Sequence, residues 1–123
     1  MDVNLADMYV ILAAAARNGG QLTYTQLSQK YFDRTGDWHE PHGSWDLPLG
    51  ELNRDLHVLR WPPLSAVVVL KETQEPGGLF WESSSNIPSR PSNDIAQIAA
   101  YSQILGQVHA AHWTDELPTS ARS

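Results

Sequence analysis

Gln21-Leu22-Thr23-Tyr24-Thr25-Gln26-Leu27-Ser28-Gln29-Lys30-Tyr31 is the stretch on which the fold turns. Residues 21–24 read as a short β-like segment and residues 25–31 as a short helix. Downstream, Leu49, Leu52, Leu56 and Leu59 recur at spacings of three and four, which places them on one face of a further helix. Trp61-Pro62-Pro63 stops that helix, because proline has no N–H to donate. Leu64-Ser65-Ala66-Val67-Val68-Val69-Leu70 is the one strongly β-forming run. Pro76-Gly77-Gly78 is a turn signal that leads it back through Leu79-Phe80-Trp81 as a hairpin. The expectation is an α+β, winged-helix-like domain: a helix-turn-helix, a β-hairpin and a C-terminal helix.

The flanks supply the rest. Asn4 is positioned to cap a helix over residues 5–17, with Leu5, Met8, Tyr9, Leu12, Ala15 and Ala16 as its apolar face. Gly19-Gly20 ends it. Residues 33–46 read as a loop, long for this fold, and loops of that length in compact domains tend to be functional or disordered. Two tryptophans, Trp38 and Trp45, argue against disorder. Residues 82–91, rich in serine and proline, are an irregular connection. Asn93 then caps a last helix over residues 94–112, with Asp94 at its positive end. Its expected apolar stripe is Ile95, Ile98, Tyr101, Leu105, Val108 and His112, and Trp113 locks its end. Residues 1–113 form one domain and 114–123 a flexible tail. Leu22, Leu27, Leu52, Leu56, Leu59, Val67, Val69, Ile98 and Leu105 are the expected core.

A chain of 123 residues with 41% hydrophobic content suits one folded domain with a modest core. No apolar run approaches the roughly 20 residues that span a bilayer. Asp2 and Asp7 stand where a signal peptide needs positive charge, so no leader is expected. The chain has no cysteine, which excludes disulfides and thiol catalysis and suits the cytoplasm. The formal net charge of −6, with eight scattered Lys and Arg, opposes non-specific binding to nucleic acid, which depends on cations neutralising phosphates. An acidic domain of this shape points first to a protein partner, with duplex DNA second and no membrane.

Two resemblances are carried by particular residues. Thr23-Tyr24, Leu49-Gly50, Pro62 and Val67-Val68 resemble the corresponding places in the C-terminal domain of DNA alkyltransferases and alkyltransferase-like proteins. Where that family has its active-site Cys-His-Arg, this chain has Pro63-Leu64-Ser65, so the resemblance carries no alkyl transfer. Thr23, Tyr24, Leu27, Leu49, Gly50, Pro62, Pro63, Leu64, Ala66, Val67, Val68, Pro76, Gly77, Phe80 and Trp113 resemble an uncharacterised family of small bacterial and phage proteins associated with defence loci. That resemblance implies defence-related biology and no catalytic residue.

The candidate partner-binding residues are Trp38, Trp45, Asp37, Glu40, Asp46, Glu51 and Asp55. Tryptophans anchor interfaces, and a carboxylate rim steers a basic partner, such as a nucleic-acid-binding protein. The ordinary role of tryptophan is core packing, expected here for Trp61, Trp81 and Trp113. For a DNA-binding regulator, Lys30, Arg34, Asn53, Arg54 and Arg60 are the candidates, with Asn53 and Arg54 suited to base edges. Glu51 and Asp55 on the same helix would repel phosphates. His39 and His42, beside Asp37, Glu40 and Asp46, are a weak zinc pattern that would suit a small metal-dependent enzyme. His109 and His112 repeat the spacing on the last helix, and His57 reads as a surface residue. Ordinary polar roles are expected for all five, so no metal and no cofactor is expected. Thr23, Ser28, Ser44 and Ser65 have no acid–base pattern behind them, and the expected function is a non-enzymatic, acidic, inhibitor- or immunity-like binding protein.

Overall fold

The computed structural model describes residues 3–118. Along the chain come α1 (Leu5–Arg17), β1 (Leu22–Thr23), α2 (Tyr24–Thr35), α3 (Asp46–Val58), a 3₁₀ turn (Leu64–Val67), β2 (Val68–Val69), a second 3₁₀ turn (Gly78–Phe80) and α4 (Asp94–Ala110). The chain is an α-rich α+β domain in which β1 and β2 pair in parallel, Leu22 with Val68 and Thr23 with Val69.

Local chemistry sets the helix starts. The Asn4 side chain accepts the Asp7 N–H at 3.1 Å and the Asn93 side chain accepts the Ala96 N–H at 2.8 Å. At α2, Thr23 and Gln26 form a reciprocal capping box, with bonds of 3.1 and 2.9 Å. Asp7 also pairs with Arg34 at 2.8 Å, tying α1 to α2. The buried turn Leu64–Val67 is the hub of the core, packing against α1, α3 and α4. Around it lie Met8, Tyr9, Leu12, Leu27, Leu52, Leu56 and Val108, all fully buried.

Four expectations need correction. The hairpin does not form among the described residues. Residues 64–67 wind into a buried 3₁₀ turn, and only Val68–Val69 remain extended, both buried rather than alternating as in a half-exposed wing. The strand therefore joins β1, and the chain turns at once, Leu70 N–H bonding Glu75 O at 2.8 Å and Gln74 N–H bonding Leu70 O at 2.9 Å. The helix expected over 25–31 extends to Thr35, where Gly36 ends it at φ 81°, so the loop narrows to residues 36–45. On α4 the buried face is Gln97, Tyr101, Ile104 and Val108. Ile95 and Ile98 of the expected stripe are exposed, and Leu105 is half-buried. Gln97 takes the inward position because its amide is satisfied twice, by Arg90 at 3.0 Å and Glu75 at 3.2 Å. Finally, the expected tail packs back as far as it is described: Thr114 bonds the Tyr9 hydroxyl and Arg17, and Leu117 is buried. Asp2 and residues 119–123 lie outside the described residues. Among the described residues, no helix is long and apolar enough to cross a membrane.

Candidate binding surface

The 36–45 loop is built from its two ends. Gly36 releases the chain from α2, and Trp45 returns it to the interior, fully buried. The Trp45 ring packs edge-on against Tyr31 at 5.4 Å and His39 at 4.3 Å, between ring centres. His39 Nε2 lies 2.9 Å from the Ser44 carbonyl, closing the loop on itself. Trp45 is thus a core anchor, correcting its expected place on the surface: a loop this long keeps one shape by burying one large ring.

That anchoring leaves Trp38 outside. It is 51% exposed and meets the exposed Phe32 edge-on at 6.3 Å, and its indole N–H donates to the Glu40 carboxylate at 3.3 Å. Exposed Asp33, Asp37 and Glu40 stand beside the pair in the chain. Of the five tryptophans, Trp81 and Trp113 are buried and Trp61 half-buried, as expected.

Beyond Glu40 the loop forms one wall of a cleft of about 530 Å³. Pro41, His42 and Gly43 line that side, Thr23, Tyr24 and Thr25 come from the start of α2, and Asp46 from the start of α3. Leu70, Lys71, Glu72, Gly77, Gly78 and Leu79 close it. The Tyr24 hydroxyl accepts the Gly77 N–H at 3.2 Å. A Cβ at Gly77 would fall 2.9 Å from that oxygen, so the close approach needs glycine there. Burial pushes the Tyr24 hydroxyl above its ordinary value; the Gly77 bond opposes this and the Asp46 charge adds to it. Burial also pushes the Asp46 carboxyl up. The sequence does not signal the side of the cleft formed by Tyr24, Leu70, Gly77 and Leu79. Tyr24, Leu70 and Leu79 carry no periodic signal, and Gly77 was legible only as a turn.

The remaining candidates separate. Glu51 is exposed on α3 and Asp55 half-buried one turn on. Asn53, expected outside the core, is buried. Its amide donates to Ser65 Oγ at 2.7 Å and Ser83 Oγ at 3.0 Å, and it accepts the Ser65 N–H at 3.2 Å. Arg54 donates to the Ser83 carbonyl at 3.1 Å, and Arg34 is held by Asp7. Lys30 and Arg34 line a groove between α1 and α2, whereas Arg60 lines another beside Trp61 and Pro62. These cations share no single groove. Among the described residues, no three His, Asp or Glu side chains converge to hold a metal ion. His39 is engaged within its loop, His42 faces the cleft, and His109 bonds Gly20 O at 3.0 Å.

Compared with known proteins, the chain matches no family model, no curated protein and no solved structure.

Proposed function

We propose that this chain is a non-enzymatic domain that binds a basic protein partner. The observation that carries this reading is the exposed Phe32–Trp38 pair, left outside a loop that is otherwise anchored, with Asp33, Asp37 and Glu40 beside it. Such an aromatic pair offers apolar area that a partner can desolvate, and the carboxylates favour a cationic approach. The net charge of −6 supports the same sign of partner over the whole molecule. An acidic domain of this kind suits an inhibitor or immunity-like factor that covers the nucleic-acid-binding face of a basic protein. The resemblance to small bacterial and phage proteins supports a cytoplasmic defence or counter-defence setting.

The test is capture from the native host by the wild-type chain and by Trp38→Ala, read by mass spectrometry. A basic protein held by the wild type and lost by the variant, with the melting temperature unchanged, supports the proposal. Equal capture by both sinks it. The winged-helix DNA regulator has the order of α2 and α3 in its favour, but it lacks the wing, and Asn53 is buried. Binding to random duplex DNA is expected to be no tighter than about 10 μM at physiological salt, since few counterions are released. A sub-micromolar, steeply salt-dependent isotherm would put the DNA reading first.

A further inference from the structure

We propose that the cleft between the starts of α2 and α3 and the 70–79 segment seats one arginine or lysine side chain of the basic partner. This rests on the protein-binding reading and names the group that reading leaves open.

Three features of the cleft select a cation on an apolar stem. The first is Asp46. It is half-buried, and among the described residues its carboxylate takes no hydrogen bond and no ion pair. Such a group has shed water without gaining a partner, which is why its carboxyl sits above the ordinary range. An ammonium or guanidinium supplies what is missing. The second is the wall. Pro41, Leu70, Leu79 and the Tyr24 ring are apolar surfaces on which the methylenes of such a side chain can lie. The third is the rim, where Glu72 adds a second carboxylate against the one permanent cation of the lining, Lys71.

An anion fits less well, although two helices begin here. At the start of α2 the Thr23–Gln26 capping box takes up the Gln26 and Thr23 N–H groups. The start of α3 carries its own carboxylate at Asp46, and Pro48 in that turn has no N–H to offer. The cleft is also continuous with the proposed interface, because one loop supplies both Trp38–Glu40 and the 41–43 wall.

The experiment titrates the full ¹⁵N-labelled chain with Nα-acetyl-arginine amide and Nα-acetyl-lysine amide, following backbone amides by NMR. The controls are the neutral citrulline analogue and the acidic Nα-acetyl-glutamate amide. Saturable shifts of the Asp46, Gly77 and Gly78 amides are expected with at least one cationic probe, without an equal response to citrulline. Affinity should fall about tenfold in Asp46→Asn and in Asp46→Ser, two variants that keep polar residues at the helix start. The proposal is overturned by no saturable response to either cation, by an equal response to citrulline, by a response to the glutamate probe alone, or by undiminished affinity in folded Asp46→Asn and Asp46→Ser. Because these probes need no partner protein, the cleft can fail while the Trp38 surface stands, and the reverse.

Discussion

Trp45 and Ser28 meet in the interior, the indole N–H donating to Ser28 Oγ at 2.9 Å while that hydroxyl donates onward to the His39 carbonyl at 2.6 Å. One serine on α2 therefore fixes the loop at two points. The bond satisfies the single polar group of a fully buried indole, which lets the ring stay inside without an unmet donor. The loop's shape, and with it the placement of Trp38 and the cleft wall, follows from this pair.

Replacing Trp45 with Ala should therefore cost about 3–5 kcal/mol, the usual range for emptying a buried aromatic site. Trp38→Ala should change stability by less than about 0.5 kcal/mol, as surface substitutions do. Urea denaturation of the two variants decides this. Equal losses at both positions would mean that Trp38 is part of the core in solution.

The same comparison shows what sequence can and cannot convey. The α1 boundaries, both asparagine caps and the Leu49–Leu52–Leu56 face were legible, because caps and helical spacing act within a few residues. The fate of the valine run was not, since a short apolar run does not reveal which strand it will join. Trp38 and Trp45 look alike in sequence, yet Trp45 is covered by Tyr31 and bonded to Ser28, contacts that only the folded chain creates. Ile98, expected in the core, is exposed for a related reason: Gln97 turns inward instead, where Arg90 and Glu75 bond its amide.

Asn53 joins α3 to the Leu64–Val67 turn and to Ser83 through bonds of 2.7 to 3.2 Å. Asn53→Ala should destabilise the chain by about 2–3 kcal/mol, because the Ser65 N–H is left buried without its acceptor. Chemical denaturation measures the loss. A cost under about 0.5 kcal/mol would show that water replaces the side chain and that the position is open to solvent.

Arg60 occupies the left-handed region at φ 61° just after α3. Its N–H bonds His57 O at 2.9 Å, and the Trp61 N–H bonds Leu56 O at 3.0 Å. This is a Schellman ending, which usually places glycine where Arg60 stands. Arg60→Gly should stabilise the chain by about 0.5–1 kcal/mol, and Arg60→Val should destabilise it by about 1 kcal/mol or more, since a β-branched side chain clashes there. If thermal melts show the two variants alike, the backbone at this position is not left-handed in solution.

Tyr101 gives the chain an alkaline signature. Its hydroxyl donates to the Ala66 carbonyl at 2.7 Å and accepts from the Gln21 amide at 2.8 Å. Burial is the main force raising it from 10.0 to about 12; the Gln21 bond opposes the rise, and the charges of Glu75 and Tyr24 add to it. The neutral phenol is thus favoured more in the folded chain than in the unfolded one. Stability from this preference is whole below the ordinary value near 10 and is lost as pH rises through about 12. Tyr101→Phe does not titrate, and it should cost about 1–2 kcal/mol at neutral pH for the lost hydrogen bonds. The gap in stability between wild type and variant should then narrow steadily from about pH 10 upward, as the unfolded wild type begins to ionise. Taking the difference cancels the tyrosines that do not act on Tyr101; Tyr24, whose charge does, is removed by making both measurements in a Tyr24→Phe background. Denaturation curves collected across the alkaline range test this directly, and a gap that stays constant to about pH 12 would show that the Tyr101 hydroxyl is not held neutral by the fold.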